Sequence, residues 1–172
     1  HVDMKRLGRI HGVGHRIHGD RRRRARRIGY EWLHVAVDDA TRLSYVEVLD
    51  AESADACAAF LRRAVRAFRR RGIRIRRLLT DNGMAYRAGI FARACRAWAI
   101  RHRFTRPYRP QTNGKAERFI QTLLREWAYR FAYRSSARRT AALRPYLRFY
   151  NHQRPHASLG RRSPWMRFQE AA

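Results

Sequence analysis

The chain is short of acid, of lysine, of cysteine and of long apolar runs, and each shortage excludes something. Its 172 residues hold 13 Asp plus Glu against 40 Lys plus Arg, a formal net charge of +27. Solubility does not need so large an excess, which points to a polyanionic partner, with nucleic acid the first candidate. All the cations but Lys5 and Lys115 are arginine. A GC-rich coding sequence would account for that preference, though not for the excess of cations over anions. Cys57 and Cys95 are the two cysteines, and no Cys-x-x-Cys spacing joins them. A disulfide framework is thereby excluded, and buried free thiols in a reducing compartment are expected. No apolar stretch is long enough to span a bilayer and no signal-peptide pattern occurs, so a cytoplasmic protein without a membrane partner is expected.

What is present suffices for one core. The apolar fraction is 45%, enough for a single compact domain with an appendage. An apolar start around Asp3 gives way to a polar, glycine-containing stretch from His11 that ends in the arginine run 21–27 and reads as an exposed loop. Trp32 to Val37 and Leu43 to Leu49 are rich in β-branched and aromatic residues and flank Asp38-Asp39-Ala40-Thr41-Arg42, which predicts an antiparallel hairpin. Ser53 caps a predicted helix to about Arg71. Cys57, Phe60, Leu61, Ala64, Val65 and Phe68 line one face of it, and Gly72 stops it. A strand is predicted over Ile73 to Thr80, a helix from Ile90 to Trp98, and a short strand near His102 to Thr105. Asn113 is expected to cap a long helix from Lys115 to about Tyr133. A further helix, Ala137 to Tyr150, is expected to be interrupted near Pro145, and a turn-rich tail follows. This order predicts an α/β fold with a mixed sheet flanked by helices. Residues 1–134 form the expected core, and residues 135–172 a C-terminal helix and basic tail packed on it.

Two short motifs carry the chemistry. Thr80-Asp81-Asn82-Gly83 puts a carboxylate at a strand end, and Arg106-Pro107-Tyr108-Arg109-Pro110-Gln111-Thr112-Asn113-Gly114-Lys115-Ala116-Glu117-Arg118 puts another at a helix start inside a basic, proline-kinked approach. Thirty-five residues separate Asp81 from Glu117, and a third carboxylate, Asp3, lies upstream. A metal site acting on nucleic acid is the reading these suggest. A lone Asp-Asn-Gly would be a turn signal and little more.

With the tail motif Tyr150-Asn151-His152-Gln153-Arg154-Pro155-His156, and with Leu159-Gly160 and Ser163-Pro164 beyond it, the pattern resembles the Asp, Asp-35-Glu recombinases. It is similar in particular to insertion-sequence transposases with a retroviral-integrase-like core, along nearly the whole chain. The resemblance implies a ribonuclease H-like fold, metal-dependent cleavage at transposon ends and strand transfer into target DNA. It also implies a homo-oligomer when two ends are synapsed, acting at the bacterial nucleoid. Asp3, Asp81 and Glu117 would be the catalytic metal ligands. Three ionised carboxylates repel one another unless cations neutralise them. Mg²⁺ suits such oxygen donors, with Mn²⁺ as its substitute, and two such ions can serve an in-line displacement at phosphorus.

Competing readings attach to several residues. Asp38 also ends a strand, but the residues after it have hairpin-turn composition, which leaves it in reserve. Arg106, Tyr108, Arg109, Gln111, Asn113, Lys115 and Arg118 suit backbone-phosphate contact with a few reaches to bases; individually, each could instead shape a loop or lie solvated. His11, His15 and His18 have spacing open to a metal but no cysteine pair beside them, so a phosphate-binding polar loop is the plainer reading. Trp32, Trp98, Trp127 and Trp165 read as packing residues. The chain begins at His1 without an initiator methionine, and an N-terminally truncated core without an upstream helix-turn-helix is expected. Two alternatives follow: a DNA-binding remnant without catalysis, and a ribonuclease H-like nuclease that cuts without joining.

Overall fold

A computed structural model describes residues 1–11, 29–106 and 113–171. Three strands form an antiparallel meander, β1 (Val2–Gly8), β2 (Tyr30–Val37) and β3 (Ser44–Leu49), with Asp3 opposite Val35 and Val35 opposite Val46. The predicted hairpin is therefore present. A parallel pair, β4 (Arg77–Thr80) and β5 (Arg101–Phe104), abuts the meander through contact of β4 with β1. Antiparallel and parallel parts together give the expected mixed sheet.

Period-two alternation along β2 assigns its side chains to two cores. Leu33, Val35 and Val37 face one helical layer, while Ala36 faces the other. Helix α1 (Ala54–Arg69) covers the Ala36 face with Phe60, Leu61, Ala64, Val65 and Phe68. Its N-cap is Ser53, whose side chain accepts from the Ala56 amide at 3.2 Å. Beyond its end, Gly72 takes a φ of +80°, a conformation that favours glycine. Helices α2 (Met84–Arg87) and α3 (Gly89–Ala97) join this layer through Tyr86, Phe91, Ala94 and Cys95. Helix α4 (Gly114–Leu123) covers the other face with Ala116, Phe119, Ile120 and Leu123. Both cysteines are free and buried. No helix among the described residues is long and apolar enough to cross a membrane.

Three local expectations need correcting. The strand from Ile73 pairs only from Arg77, because its partner β5 is four residues long. Helix α4 does not run evenly to Tyr133: after Leu123 it widens into a π-helical turn, Leu124–Ala128, closed by the Tyr129 amide on the Leu124 carbonyl at 3.0 Å. That turn buries Trp127, whose indole N–H donates to the Arg139 carbonyl at 2.9 Å. The next helix is interrupted near Pro145 as expected, into α5 (Ser136–Ala141) and α6 (Leu143–His152). The Pro145 ring cannot coexist with a helical carbonyl at Ala141, whereas the first turn of a new helix tolerates it. The tail holds a 3₁₀ turn (Ala157–Leu159) and a further helix, α7 (Pro164–Ala171), whose Trp165 and Phe168 pack on the α1 core.

The C-terminal helices are tied to the first strand. The Ser136 amide donates to the Ile10 carbonyl at 3.0 Å, and Ser136 Oγ accepts from the Ile10 amide at 2.9 Å. Arg139, with no exposed surface, donates through Nη2 to the Gly8 carbonyl at 2.8 Å and to Glu31 Oε2 at 2.6 Å. The tail motif has structural work as well. Asn151 brackets the start of β3, accepting from the Ser44 amide at 2.9 Å and donating to the Ser44 carbonyl at 3.0 Å. Arg154 grips Glu126 with two bonds of 2.8 and 2.6 Å.

Candidate nucleic-acid processing site

The three carboxylates reach one region from three elements. Asp3 is the second residue of β1, Asp81 follows the last residue of β4, and Glu117 lies in the first turn of α4. Contact between β1 and β4 brings the first two together, and packing of α4 against β1 and β2 brings in the third. Burial first, then the charges of Asp81 and Glu117, raise the Asp3 carboxyl from 3.8 to about 6, against the opposing Met4 amide bond to Oδ1 at 2.8 Å. None of the three carboxylates is in an ion pair among the described residues. That is notable in a chain with 40 Lys plus Arg.

Local bonds fix the Thr80-to-Gly83 motif. Thr80 Oγ1 donates to the Asp81 carbonyl and lies 2.9 Å from His102 Nε2. Asn82 Nδ2 donates to the Thr105 carbonyl at 3.0 Å, which ties the end of β4 to the end of β5. Asp81 Oδ1 accepts from the Gly83 amide at 3.0 Å. A Cβ at position 83 would stand only 3.0 Å from that oxygen, so glycine leaves the carboxylate its room.

Asp38 has a different use. Its Oδ2 accepts from the Ala40 and Thr41 amides and from Thr41 Oγ1, at 3.2, 2.8 and 2.7 Å, an assignment to the hairpin turn. Its neighbour Asp39 supplies a contact that sequence reasoning missed. Lys115 Nζ bonds the Asp39 carboxylate and lies 3.2 Å from its carbonyl, while His1 Nε2 meets the same carboxylate at 2.9 Å. Lys115 first, then His1, hold Asp39 below the usual carboxylate range. Seventy-six positions separate Asp39 from Lys115, so no local pattern signals the pair. It anchors the start of α4, two residues ahead of Glu117.

The other candidates divide. Arg106 and Arg118 are exposed. Asn113 is buried, with Oδ1 3.2 Å from His1 Nδ1, and its side chain does not cap α4 as expected. Tyr108, Arg109 and Gln111 lie outside the described residues, as do His15, His18 and the arginine run 21–27. His11 forms an isolated bridge with Ser135. Among the described residues no three His, Cys, Asp or Glu side chains enclose a metal position. The donor set still fits a hard divalent ion: three carboxylate groups, one with its pKa raised by burial first and then by the charges of the other two, and, among the described residues, no guanidinium or ammonium in an ion pair with them.

Comparison with known proteins follows the same line. Two family profiles described as "Integrase core domain" match, one over residues 11–110 and one over residues 99–164. A transposase InsD of Escherichia coli, for insertion element IS2A/D/F/H/I/K, is 33% identical over 86 residues, covering 50% of this chain and 29% of that protein. The retrovirus-related Pol polyprotein from transposon TNT 1-94 of Nicotiana tabacum is 32% identical over 96 residues, covering 56% of this chain and 7% of that protein. The chain thus spans well under half the length of these relatives. Among solved structures, the catalytic core domain of BIV integrase superposes with a TM-score of 0.63 at 25% identity, covering 82% of this chain and 87% of that one. A chain of the simian T-cell lymphotropic virus intasome, solved in complex with PP2A regulatory subunit B56 gamma, gives a TM-score of 0.71 at 23% identity, covering 96% of this chain and 51% of that one, a likeness of fold.

Proposed function

Because the chain belongs to the integrase core domain family and has its ribonuclease H-like α/β fold, we propose that it is the catalytic core of an insertion-sequence transposase. In this reading it cuts at transposon ends and joins the freed 3′ ends to target DNA. The observation that supports it most is the approach of Asp3, Asp81 and Glu117 from β1, β4 and α4, with none of the three in an ion pair among the described residues. Convergence of unpaired carboxylates is unfavourable for folding unless a cation repays it, so their convergence in so basic a chain argues for a metal-binding use.

Asp3, Asp81 and Glu117 would hold Mg²⁺, with Mn²⁺ as substitute. A bound divalent pair supplies activation of the attacking oxygen and stabilisation of the leaving oxygen in an in-line displacement at phosphorus. The chain's own residues do the rest. Asp3 keeps a proton up to about pH 6 and releases it at lower pH beside a cation. Arg106 and Arg118, exposed on either side of the approach to α4, would take DNA phosphates, which fixes register without reading sequence. Lys115 would serve through its bond to Asp39, setting the start of the helix that carries Glu117. Transposon-end DNA and target DNA are the partners in this reading, and a homo-oligomer holds two ends together.

The test uses Asp81→Asn and Glu117→Gln, which keep shape and remove charge. With a pre-nicked duplex bearing a free 3′-hydroxyl and Mg²⁺, the unmodified chain should join the end to a second duplex. Each variant should lose cutting and joining by more than the roughly 10–100-fold that follows loss of a group one step removed from a metal. Cutting without joining would assign a nuclease, neither activity in the unmodified chain a DNA-binding remnant, and near-normal joining by either variant would overturn the ligand assignment.

A further inference from the structure

The parallel pair β4–β5 carries a surface that the carboxylate site does not use. Leu78 and Thr80 of β4 are buried, and His102 of β5 stacks edge-on against Phe91 at 5.2 Å, so these residues face the α1–α3 layer. Alternation then turns Arg77, Leu79, Arg101 and Arg103 to the opposite face. In the ladder Arg77 stands opposite Arg101, and Leu79 opposite Arg103. All three arginines are exposed, as are Arg74, Arg76 and Arg106 in the flanking segments. Residues 73–80 and 100–106 contain no Asp or Glu, and none of the six arginines is in an ion pair among the described residues. Asp38 and Asp39 border the neighbouring concavity, but the turn holds the first, and Lys115 with His1 the second.

Like charges set directly opposite on adjacent strands oppose pairing. Here the cations also surround a concavity, since Arg76, Arg77, Ala99 and Arg101 line one cleft. We propose that the outer face of β4–β5 is a phosphate track for duplex DNA, running away from the carboxylates. Both strands are parallel and end at the site: β4 at Thr80, beside Asp81, and β5 at Phe104, shortly before Arg106. Arg103 and Arg106 therefore mark the end near the chemistry, and Arg77 with Arg101 the far end. Four strand residues span about 13 Å, which matches roughly four base pairs of duplex at 3.4 Å per step. A duplex whose scissile phosphate sits at the carboxylates would lay about four base pairs of its flank on this face. The chemistry recognised is the backbone alone, so the track tolerates any sequence. This inference rests on the DNA-processing reading above and adds where the flank lies.

The experiment measures duplex affinity of the 172-residue chain against salt. Two charge-matched variants are compared: Arg77→Ser/Arg101→Ser/Arg103→Ser on the track, and Arg62→Ser/Arg66→Ser/Arg70→Ser on the exposed side of α1 and at its C-cap. At about 0.9 per phosphate contact, the track variant should flatten the slope of log affinity against log salt by roughly 2 to 3, and the α1 variant by less than about 1. Duplex should also shield Arg77, Arg101 and Arg103 of the unmodified chain from phenylglyoxal, read by mass spectrometry, which needs no variant to fold. Equal flattening by both variants, or modification of the three arginines unaffected by duplex, would overturn the track. Asp81→Asn should keep the unmodified salt slope, so failure of the track and failure of the catalytic assignment give different results.

Discussion

Asp3→Asn should make this protein more stable at neutral pH while removing its activity. The Asp3 carboxyl titrates at 3.8 when free and near 6 in the fold, a difference of about two units, each worth about 1.4 kcal/mol. Because the folded value is raised, the carboxyl contributes no penalty below about pH 3, where both folded and unfolded chains hold the proton. As pH rises, the unfolded chain releases it first, and stability falls until the folded group also ionises near pH 6. Above that the full cost, about 3 kcal/mol at most given solvent screening on the open side, is present. Asparagine cannot ionise, and its amide oxygen can still accept the Met4 amide bond made by Oδ1. Urea unfolding in EDTA should then show the variant about 1–3 kcal/mol more stable than the parent at pH 7 and nearly equal to it at about pH 3. Adding Mg²⁺ at a hundred times its dissociation constant should recover about 2.7 kcal/mol for the parent and less for the variant. A variant no more stable at pH 7, or one with the same difference at both pH values, would refute the electrostatic account of the site.

Two further outcomes test what surrounds the carboxylates. Gly83→Ala sets a Cβ 3.0 Å from Asp81 Oδ1; a few tenths of an ångström of displacement should cost roughly tenfold in strand joining with little change in melting temperature, and unchanged joining would mean that the carboxylate turns freely. Arg139→Ala strands Glu31, whose side chain is 13% exposed, and should cost about 3–5 kcal/mol in urea unfolding, relieved in part by adding Glu31→Gln; a loss below about 1 kcal/mol would show that packing around Arg139 carries the tie.

Legibility followed the range of the interactions. The β2–β3 hairpin, the Ser53 cap and the apolar face of α1 were readable because each is written in residues a few positions apart. Asp81 and Glu117 were readable as candidates because their motifs are local and their spacing distinctive. Asp39 bonding Lys115 was not, because a salt link across 76 positions leaves no mark on either neighbourhood. Arg139 was equally hidden: one buried guanidinium looks like any other in an arginine-rich chain. The π-helical turn after Leu123 arises from seating Trp127 against Arg139, a tertiary demand that helix periodicity does not record. Helix α7 had a local signal, Ser163-Pro164, with Ser163 Oγ accepting from the Met166 amide at 3.2 Å; the turn residues before it masked that start.

The tie between residues 136–139 and the far end of β1 has a consequence for synthesis. A ribosome, adding roughly 5–20 residues per second, delivers β1, with Asp3, well before the helices that fasten it. The C-terminal partners of Gly8 and Ile10, Arg139 and Ser136, emerge only after more than 120 further residues have been added. Until then β1 has its pairing with β2 but not its tie to α5, and Glu117 has no completed α5–α6 layer behind its helix. The strand that carries Asp3 and the helix that carries Glu117 therefore gain their last support from residues 136–152, so the arrangement of these two carboxylates is completed late in synthesis.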